Sequence, residues 1–276
     1  GVATRLAARS ARKHGTKVIY MVHGFHFFKG APKWNWMIFY PIEKFVSRFC
    51  DEIITINQED YQWAKKMHAY SVKYIHGIGV DTERLHKKKS KANIRRQLGL
   101  EEEALLMISV GELNKRKNQK IIIQAMGKIG DAKIHCLICG KGNLLRQLKD
   151  LAKKCKVEKQ VHFLGYRKDV LDLCCQADLF IMPSLQEGLS LASLEAMYCG
   201  LPIVISDIRG VRDYLADGVN GYICDVHDID AYVNAIQKLM RNEKIRVRMG
   251  ERNRKDVYPY CLEQVKKEVL ALFDEY

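Results

Sequence analysis

The chain has 276 residues, 47% of them hydrophobic and 28% charged, so it can bury a sizeable core in one large or two ordinary domains and is not globally disordered. No run reaches the roughly eighteen apolar residues of a membrane span. The formal charge of +14 calls for an anionic partner such as nucleic acid, a membrane surface or a phosphorylated substrate.

The chain opens at Gly1 with no recognisable signal peptide, which fits a fragment or a processed protein. Nine cysteines, an odd number scattered through apolar segments, predict the reduced, buried thiols of a cytosolic protein. Residues 2–14 place apolar and basic side chains at helical spacing, with Gly15 as a stop. Lys17–Val22 then reads as a buried strand, and His23-Gly24-Phe25-His26 follows at its carboxyl end, where open α/β sheets bind ligands. A helix followed by a strand, with no strand before them, implies that the chain begins inside a domain. In residues 25–49, Lys29, Lys33, Lys44 and Arg48 interleave with Trp34, Trp36, Phe39 and Tyr40. That mixture suits the headgroup layer of an anionic membrane as well as it suits a plain helical cover.

Asp51–Asn57 reads as a strand, Asn57–Met67 as a helix and Val72–Ile75 as a strand that leads to Gly77-Ile78-Gly79-Val80-Asp81. Charge-rich Arg84–Arg96 is the expected hinge. Leu105–Val110 opens a second run of strands, and Gly111-Glu112-Leu113-Asn114 leads into the basic triplet Lys115-Arg116-Lys117. Read as a helix start, the triplet opposes the macrodipole, which points to a bound phosphate. Arginine is the better bidentate ligand for one. Ala132–Cys139 is a further strand ending in Gly140-Lys141-Gly142, with a helix from Asn143. Alternation puts Cys136 and Cys139 on opposite faces, against metal or redox chemistry at this C-x-x-C. Val161–Leu164 precedes Gly165-Tyr166-Arg167.

The rest of the chain is organised around residues 177–206. Ala177–Met182 is a strand ended by Pro183, and a loop bends at Gly188. Ser190 is a candidate N-cap for a helix over 191–199, stopped by Gly200-Leu201-Pro202 before the strand Ile203–Ser206. Such a loop-to-helix junction offers N–H groups to an anion. Glu187 and Glu195 flank it with seven residues between them, Glu195 lying roughly 7 Å beyond Ser190 along the axis. Carboxylates pair with hydroxyls rather than phosphate, so two sugars flanking a diphosphate fit the pattern. The spacing alone fits a solvated loop Glu and an ordinary helix Glu equally well, and a glycoside hydrolase would use the same pair as acid and nucleophile or base. Asp207–Asp213 is a further loop and Asn220-Gly221 a turn; Asp228-Ile229-Asp230 reads as a helix cap, so no metal is expected. Leu262–Phe273 is a closing amphipathic helix, and no nucleic-acid motif accompanies the charge.

Glu187-x7-Glu195, with Pro183-Ser184 before it and Glu195-Ala196-Met197-x-x-Gly200-Leu201-Pro202-Ile203-Val204 after it, resembles the signature of the retaining GT-B glycosyltransferases of family 4, glycosyl transferases group 1. HGFHFFKGAP and YPIEK are similar to segments of the bacterial capsular and exopolysaccharide enzymes. The resemblance implies an α/β GT-B fold of two Rossmann-like domains facing a cleft, the first incomplete. Residues 1–83 would be the C-terminal part of the acceptor-side domain, 84–250 the nucleotide-sugar domain, and 251–276 a helix crossing back. It implies a metal-independent, retaining hexosyltransferase (EC 2.4) of cell-surface polysaccharide synthesis, cytoplasmic and peripheral on the inner face of the membrane. The nucleotide-sugar donor, a UDP-sugar by default, is a substrate and not a cofactor; the acceptor is lipid-linked or a glycan.

By the same resemblance, His23 meets the donor sugar, with His26 as second choice, and Glu187 holds its hydroxyls. Arg116, Lys117 and the N–H groups near Ser190 and Leu191 clamp the diphosphate. Glu195 takes the ribose, and Gly111, Gly140, Gly142, Tyr166, Arg167, Gly188 and Leu189 surround the nucleotide. This chain departs from the family pattern where Leu189 and Ser190 replace the usual Phe-Gly, where Glu112 replaces an Arg, and where the 207–213 loop lacks a Gly. A truncated, non-catalytic nucleotide-sugar binder and a UDP-sugar 2-epimerase of the same fold are the remaining alternatives.

Overall fold

A computed structural model describes residues 1–77, 79–83 and 93–274, so most of the expected hinge, residues 84–92, lies outside the described residues. The chain divides into two compact units. The first comprises Gly1–Gly79, Glu187–Leu189 and Leu262–Tyr276; the second comprises Val80–Gln186 and Ser190–Cys261. Residue 251 falls inside a helix, Glu243–Asp256.

In the first unit, strands β1 (Ile19–Val22), β2 (Glu52–Thr55) and β3 (Ser71–Tyr74) form a parallel sheet in that order, with Ile19 opposite Glu52 and Glu52 opposite Ser71. Helices α1 (Val2–Ala7), α2 (Arg9–Lys13), α3 (Lys33–Val46) and α4 (Gln58–Ala64) surround it. Parallel strands are buried on both faces, and the side-chain alternation here feeds two cores. Val22 and Ile53 pack with Phe25, Phe27 and, from α3, Trp36, Phe39 and Tyr40. Ile54 packs with Ile56, Ile75, Leu189 and Leu272 of the closing helix. Asn57 caps α4 by accepting from the Asp60 N–H, and buried Arg5 of α1 reaches Glu43 of α3 at 2.6 Å while covering the Tyr20 ring.

In the second unit, α5 (Ile94–Gln97) leads to β4 (Leu105–Val110), α6 (Lys120–Ile129), β5 (Ile134–Cys139), α7 (Leu145–Lys154), β6 (Val161–Gly165), α8 (Val170–Cys174), β7 (Leu179–Met182), α9 (Leu191–Tyr198), β8 (Ile203–Ser206), β9 (Gly221–Cys224), α10 (Ile229–Arg241) and α11 (Glu243–Asp256). The closing helix α12 (Leu262–Phe273) returns to the first unit. The parallel sheet runs β6-β5-β4-β7-β8-β9. This is the doubly wound order that reverses between its first and fourth strands, β4 and β7, the point at which such sheets open a ligand crevice. One face buries Leu105, Met107, Ile134, Cys136, Ile138, Leu179, Ile181 and Val204 beneath α6, α7 and α10. Cys139 has the opposite parity to Cys136, as alternation requires, and burial pushes its thiol up to about 12.

Strand β9 and helix α11 are among the elements absent from the sequence reading. β9 follows the expected Asn220-Gly221 turn directly, and Gly221 is required there because a Cβ would come within 2.3 Å of the Ile203 carbonyl. Helix α11 is so polar that its buried positions are Met249, Gly250 and Asn253. It docks through Gly250, whose missing Cβ makes room for the Gly200 carbonyl, and through Asn253, which donates to the carbonyls of Leu201 and Asn220 at 2.7 Å each.

His135 on β5 and His162 on β6 stack with ring nitrogens 3.1 Å apart. Desolvation holds both imidazoles below their ordinary range, and for His162 the neighbouring His135 adds to it. The unfolded chain therefore takes up more protons from about pH 6.5 downward, and stability falls as pH falls. Thermal melts between pH 7.5 and 5 should show a decline that His135→Gln/His162→Gln flattens; an unchanged slope would refute the assignment.

Candidate functional site

At the carboxyl ends of β4, β5 and β6, three loops are laced together by main-chain bonds. Gly111 N–H donates to the Cys139 carbonyl (2.9 Å), Leu113 N–H to Lys141 (2.9 Å), Leu144 N–H to Leu113 (3.1 Å) and Gly140 N–H to Gly165 (2.8 Å). Such approach requires backbone without side chains. A Cβ on residue 140 would lie 1.9 Å from the Gly111 carbonyl oxygen, and one on residue 142 would lie 2.3 Å from that of Leu113. Packing therefore sets the Gly140-Lys141-Gly142 spacing. Gly111 has a different duty, since a Cβ there would meet the Lys117 stem at 3.0–3.1 Å. The half-buried Lys117 thus lies across the end of β4.

The basic triplet occupies a turn ahead of α6, which starts at Lys120, so the opposing-dipole argument does not apply to it. The turn has its own fastening. Lys117 N–H donates to Asn114 Oδ1 at 3.0 Å, and Asn118 adopts a left-handed backbone (φ 55°) that asparagine tolerates. Buried Asn118 sends its Nδ2 to the Pro183 carbonyl at 3.0 Å. Arg116 completes the tie: its carbonyl accepts from Leu185 N–H (2.8 Å) and its Nη1 donates to the Gln186 carbonyl (3.0 Å). The loops after β4 and β7 are thereby joined at the topological switch point. The sequence reading assigns Asn118 no role; an Asn closing a turn beside three cations was the available signal.

Ser190 caps α9 as expected, its Oγ accepting from Ser193 N–H at 3.2 Å and from Ser193 Oγ at 2.9 Å. The first-turn amides, with Leu191 at N1, therefore start an ordered helix. Half-buried Glu195 lies one turn further on, and Gly200 closes the helix in the left-handed region (φ 81°). Tyr166 is 68% exposed, and Arg167 forms a two-point pair with Asp169 at 2.7 and 2.5 Å. That hydrogen bond holds the Asp169 carboxyl below the usual range. Asp228 accepts from the amides of Asp230 and Ala231, the cap expected of it.

In the first unit, His23 is exposed just past β1, and the Glu187–Leu189 tripeptide belongs to this unit. Gly188 packs so closely that a Cβ would fall 2.1 Å from the His23 carbonyl oxygen. The Leu189 side chain is committed to the apolar cluster with Ile54, Ile56 and Ile75, and a Cβ on Gly77 would strike it at 2.3 Å. Leu189 thus has backbone alone to offer a ligand. His26 stacks on Phe39 with centroids 4.7 Å apart. Among the described residues, no group of three His, Cys, Asp or Glu side chains is placed to hold a metal ion.

A family model, "Glycosyl transferases group 1", matches residues 90–256. This chain belongs to that family. A putative glycosyltransferase, EpsD, of Bacillus subtilis (strain 168) is 35% identical over 282 residues, covering all of this chain and 74% of EpsD. A UDP-Gal:alpha-D-GlcNAc-diphosphoundecaprenol alpha-1,3-galactosyltransferase of Escherichia coli is 28% identical over 90% of this chain and 65% of its own length. The crystal structure of Anabaena HepE in complex with UDP superposes with a TM-score of 0.85 at 20% identity, covering 100% of this chain and 76% of HepE. The fold of this group 1 glycosyltransferase is GT-B, as the signature at residues 183–204 implied.

The laced glycines yield a direct test. Gly140→Ala forces two main chains apart and should cost about 1–3 kcal/mol or more, well beyond a surface change. Chemical denaturation would measure it; a loss within 0.5 kcal/mol would mean that the loops part freely.

Proposed function

We propose that this protein is a retaining, metal-independent hexosyltransferase of cell-surface polysaccharide synthesis. It moves a sugar from a nucleoside diphosphate donor, a UDP-sugar, to a lipid-linked or glycan acceptor on the cytoplasmic side of the membrane. The observation that carries this reading is the fastened turn at the β4/β7 switch point, where Arg116 and Lys117 share one pair of loops with the lead-in to the capped α9 helix. Diphosphate is the leaving group in such a transfer, and fixed cations with helix amides supply the charge stabilisation it needs as the glycosidic bond breaks. The acceptor hydroxyl attacks the anomeric carbon on the face from which the diphosphate departs and gives its proton to the leaving phosphate oxygen, so configuration is retained without a protein nucleophile.

Glu195 and Glu187 take hydroxyls rather than phosphate, the ribose and the donor sugar respectively, because a carboxylate accepts strong O–H bonds and repels phosphate. His23 positions the donor sugar. Gly111 contributes by leaving Lys117 its path, and Gly140 and Gly142 by keeping the loops in register. Tyr166 can still shield a base, while Arg167 is held by Asp169 and serves through its main chain. Support for UDP comes from HepE, solved with UDP and UDP-glucose, and support for a lipid diphosphate acceptor from the Escherichia coli relative. All nine cysteines are free, in keeping with a reducing compartment.

Calorimetric titration with UDP, GDP and ADP in the absence of metal is the first test. Micromolar binding of UDP, lost in Glu195→Ala, is expected; equal binding by the variant would remove the ribose assignment. In a transfer assay, Lys117→Ala and Glu187→Ala should each lower kcat about 10²–10³-fold with the fold intact. Binding of UDP without any transfer would favour the non-catalytic alternative.

A further inference from the structure

A cavity of about 690 Å³ opens where three helices of the second unit begin, α6, α7 and α10. That volume lies in the range of small-molecule sites. Its walls come from the second unit alone, and none of the residues assigned above to the donor lines it. The floor is apolar. Leu144, Leu148 and Leu151, four and three residues apart, lie along one side of α7, and Ile121 of α6 and Ile229 of α10 complete it. The rim carries one sign of charge: exposed Lys115 and Lys120 stand there with His227, and no Asp or Glu lines the cavity. Asp228, next to His227, is turned to the amides of its own helix. The positive ends of three helix dipoles meet at the same place.

The wall also holds an unanswered acceptor. Buried Gln119 (2% exposed) donates its Nε2 to the Glu112 carbonyl at 3.0 Å, which fixes the amide, and its Oε1 receives no hydrogen bond. A buried acceptor without a donor is costly, so a ligand N–H or O–H brought to it is favoured. We infer that this cavity is a second ligand site, for a small amphipathic organic anion that also carries one such donor. Its apolar body covers the α7 leucines, its acidic group meets Lys115 and Lys120, and its donor turns to Gln119. An uncharged sugar would leave the leucines wet and the lysines without a counter-charge. The site bears on the fastened turn. Asn114, which accepts from Lys117 N–H, and Asn118, which ties the turn to Pro183, both line the cavity. So does Leu185, whose N–H donates to the Arg116 carbonyl. A bound anion therefore braces the turn that carries Arg116 and Lys117. Its effect on sugar transfer rests on the donor-site reading above; its binding does not.

Anilinonaphthalene sulfonate is a suitable probe, since it joins two aromatic groups to a sulfonate and an aniline N–H. Its fluorescence titration with the full chain should saturate at a single strong site. Lys120→Glu and Leu151→Ser should each weaken that binding by about tenfold or more. Met37→Ser/Phe45→Ser, on the exposed apolar side of α3, should leave it unchanged. Should Leu151→Ser melt early, Lys120→Glu on the exposed rim decides. With the probe bound, hydrogen exchange of residues 114–119 should slow several-fold, and Lys120→Glu should abolish that protection at the same probe concentration. Undiminished binding by Lys120→Glu, loss of binding in the α3 variant, or unchanged exchange at 114–119 overturns the inference. A parallel UDP titration keeps the two readings apart. Probe binding without UDP binding removes the donor assignment alone, and UDP binding without probe binding removes the cavity assignment alone.

Discussion

The second unit depends on how closely its strand-end loops approach one another. With 1.9 Å between a would-be Cβ of residue 140 and the Gly111 carbonyl, the loops after β4 and β5 meet main chain to main chain. Hydrogen bonds from Gly111, Leu113 and Leu144 can form at that range and at no larger one. Because the end of β4 is fixed by this lacing, the turn that follows it is fixed too, and with it the place where Lys117 crosses Gly111. A looser junction would leave Arg116 and Lys117 on a swinging loop rather than on a fastened turn.

The strands were legible because a parallel sheet buried on both faces writes itself as unbroken apolar runs: Leu105–Val110 and Ile203–Ser206 stand where the sequence put them. Ser190 and Asp228 were legible because a cap is a local bond between a side chain and amides two or three residues on. What escaped depends on distant partners. Helix α11 shows almost no apolar face, since it docks through a glycine and an asparagine whose partners sit some fifty residues earlier. Strand β9, four residues starting with glycine, takes its identity from pairing with β8.

The candidate site residues stand out in the sequence by type, whereas their surroundings do not. Glu187, Glu195, Arg116 and Lys117 announce themselves by type and spacing. Nothing in the sequence says that Arg167 will turn back on Asp169, or that the side chain of Leu189 will sink into a cluster with Ile54 and Ile75. Those outcomes follow from which neighbour is nearest once the backbone is set. The G-x-G loop shows the converse: its glycines resemble a ligand motif, yet contact with Gly111 and Leu113 already requires them.

The interleaving of the two units along the chain limits how this protein can be divided genetically. The first unit takes its helix α12 from the far end of the sequence and a tripeptide from the middle of the second. A gene fragment ending near residue 79 would encode β1, β2 and β3 but none of Leu189, Val269 and Leu272, which close the apolar cluster over Ile54 and Ile75. Recombination that swaps one unit for a homologous one must therefore exchange at four points in the chain rather than one. No single crossover separates the two units.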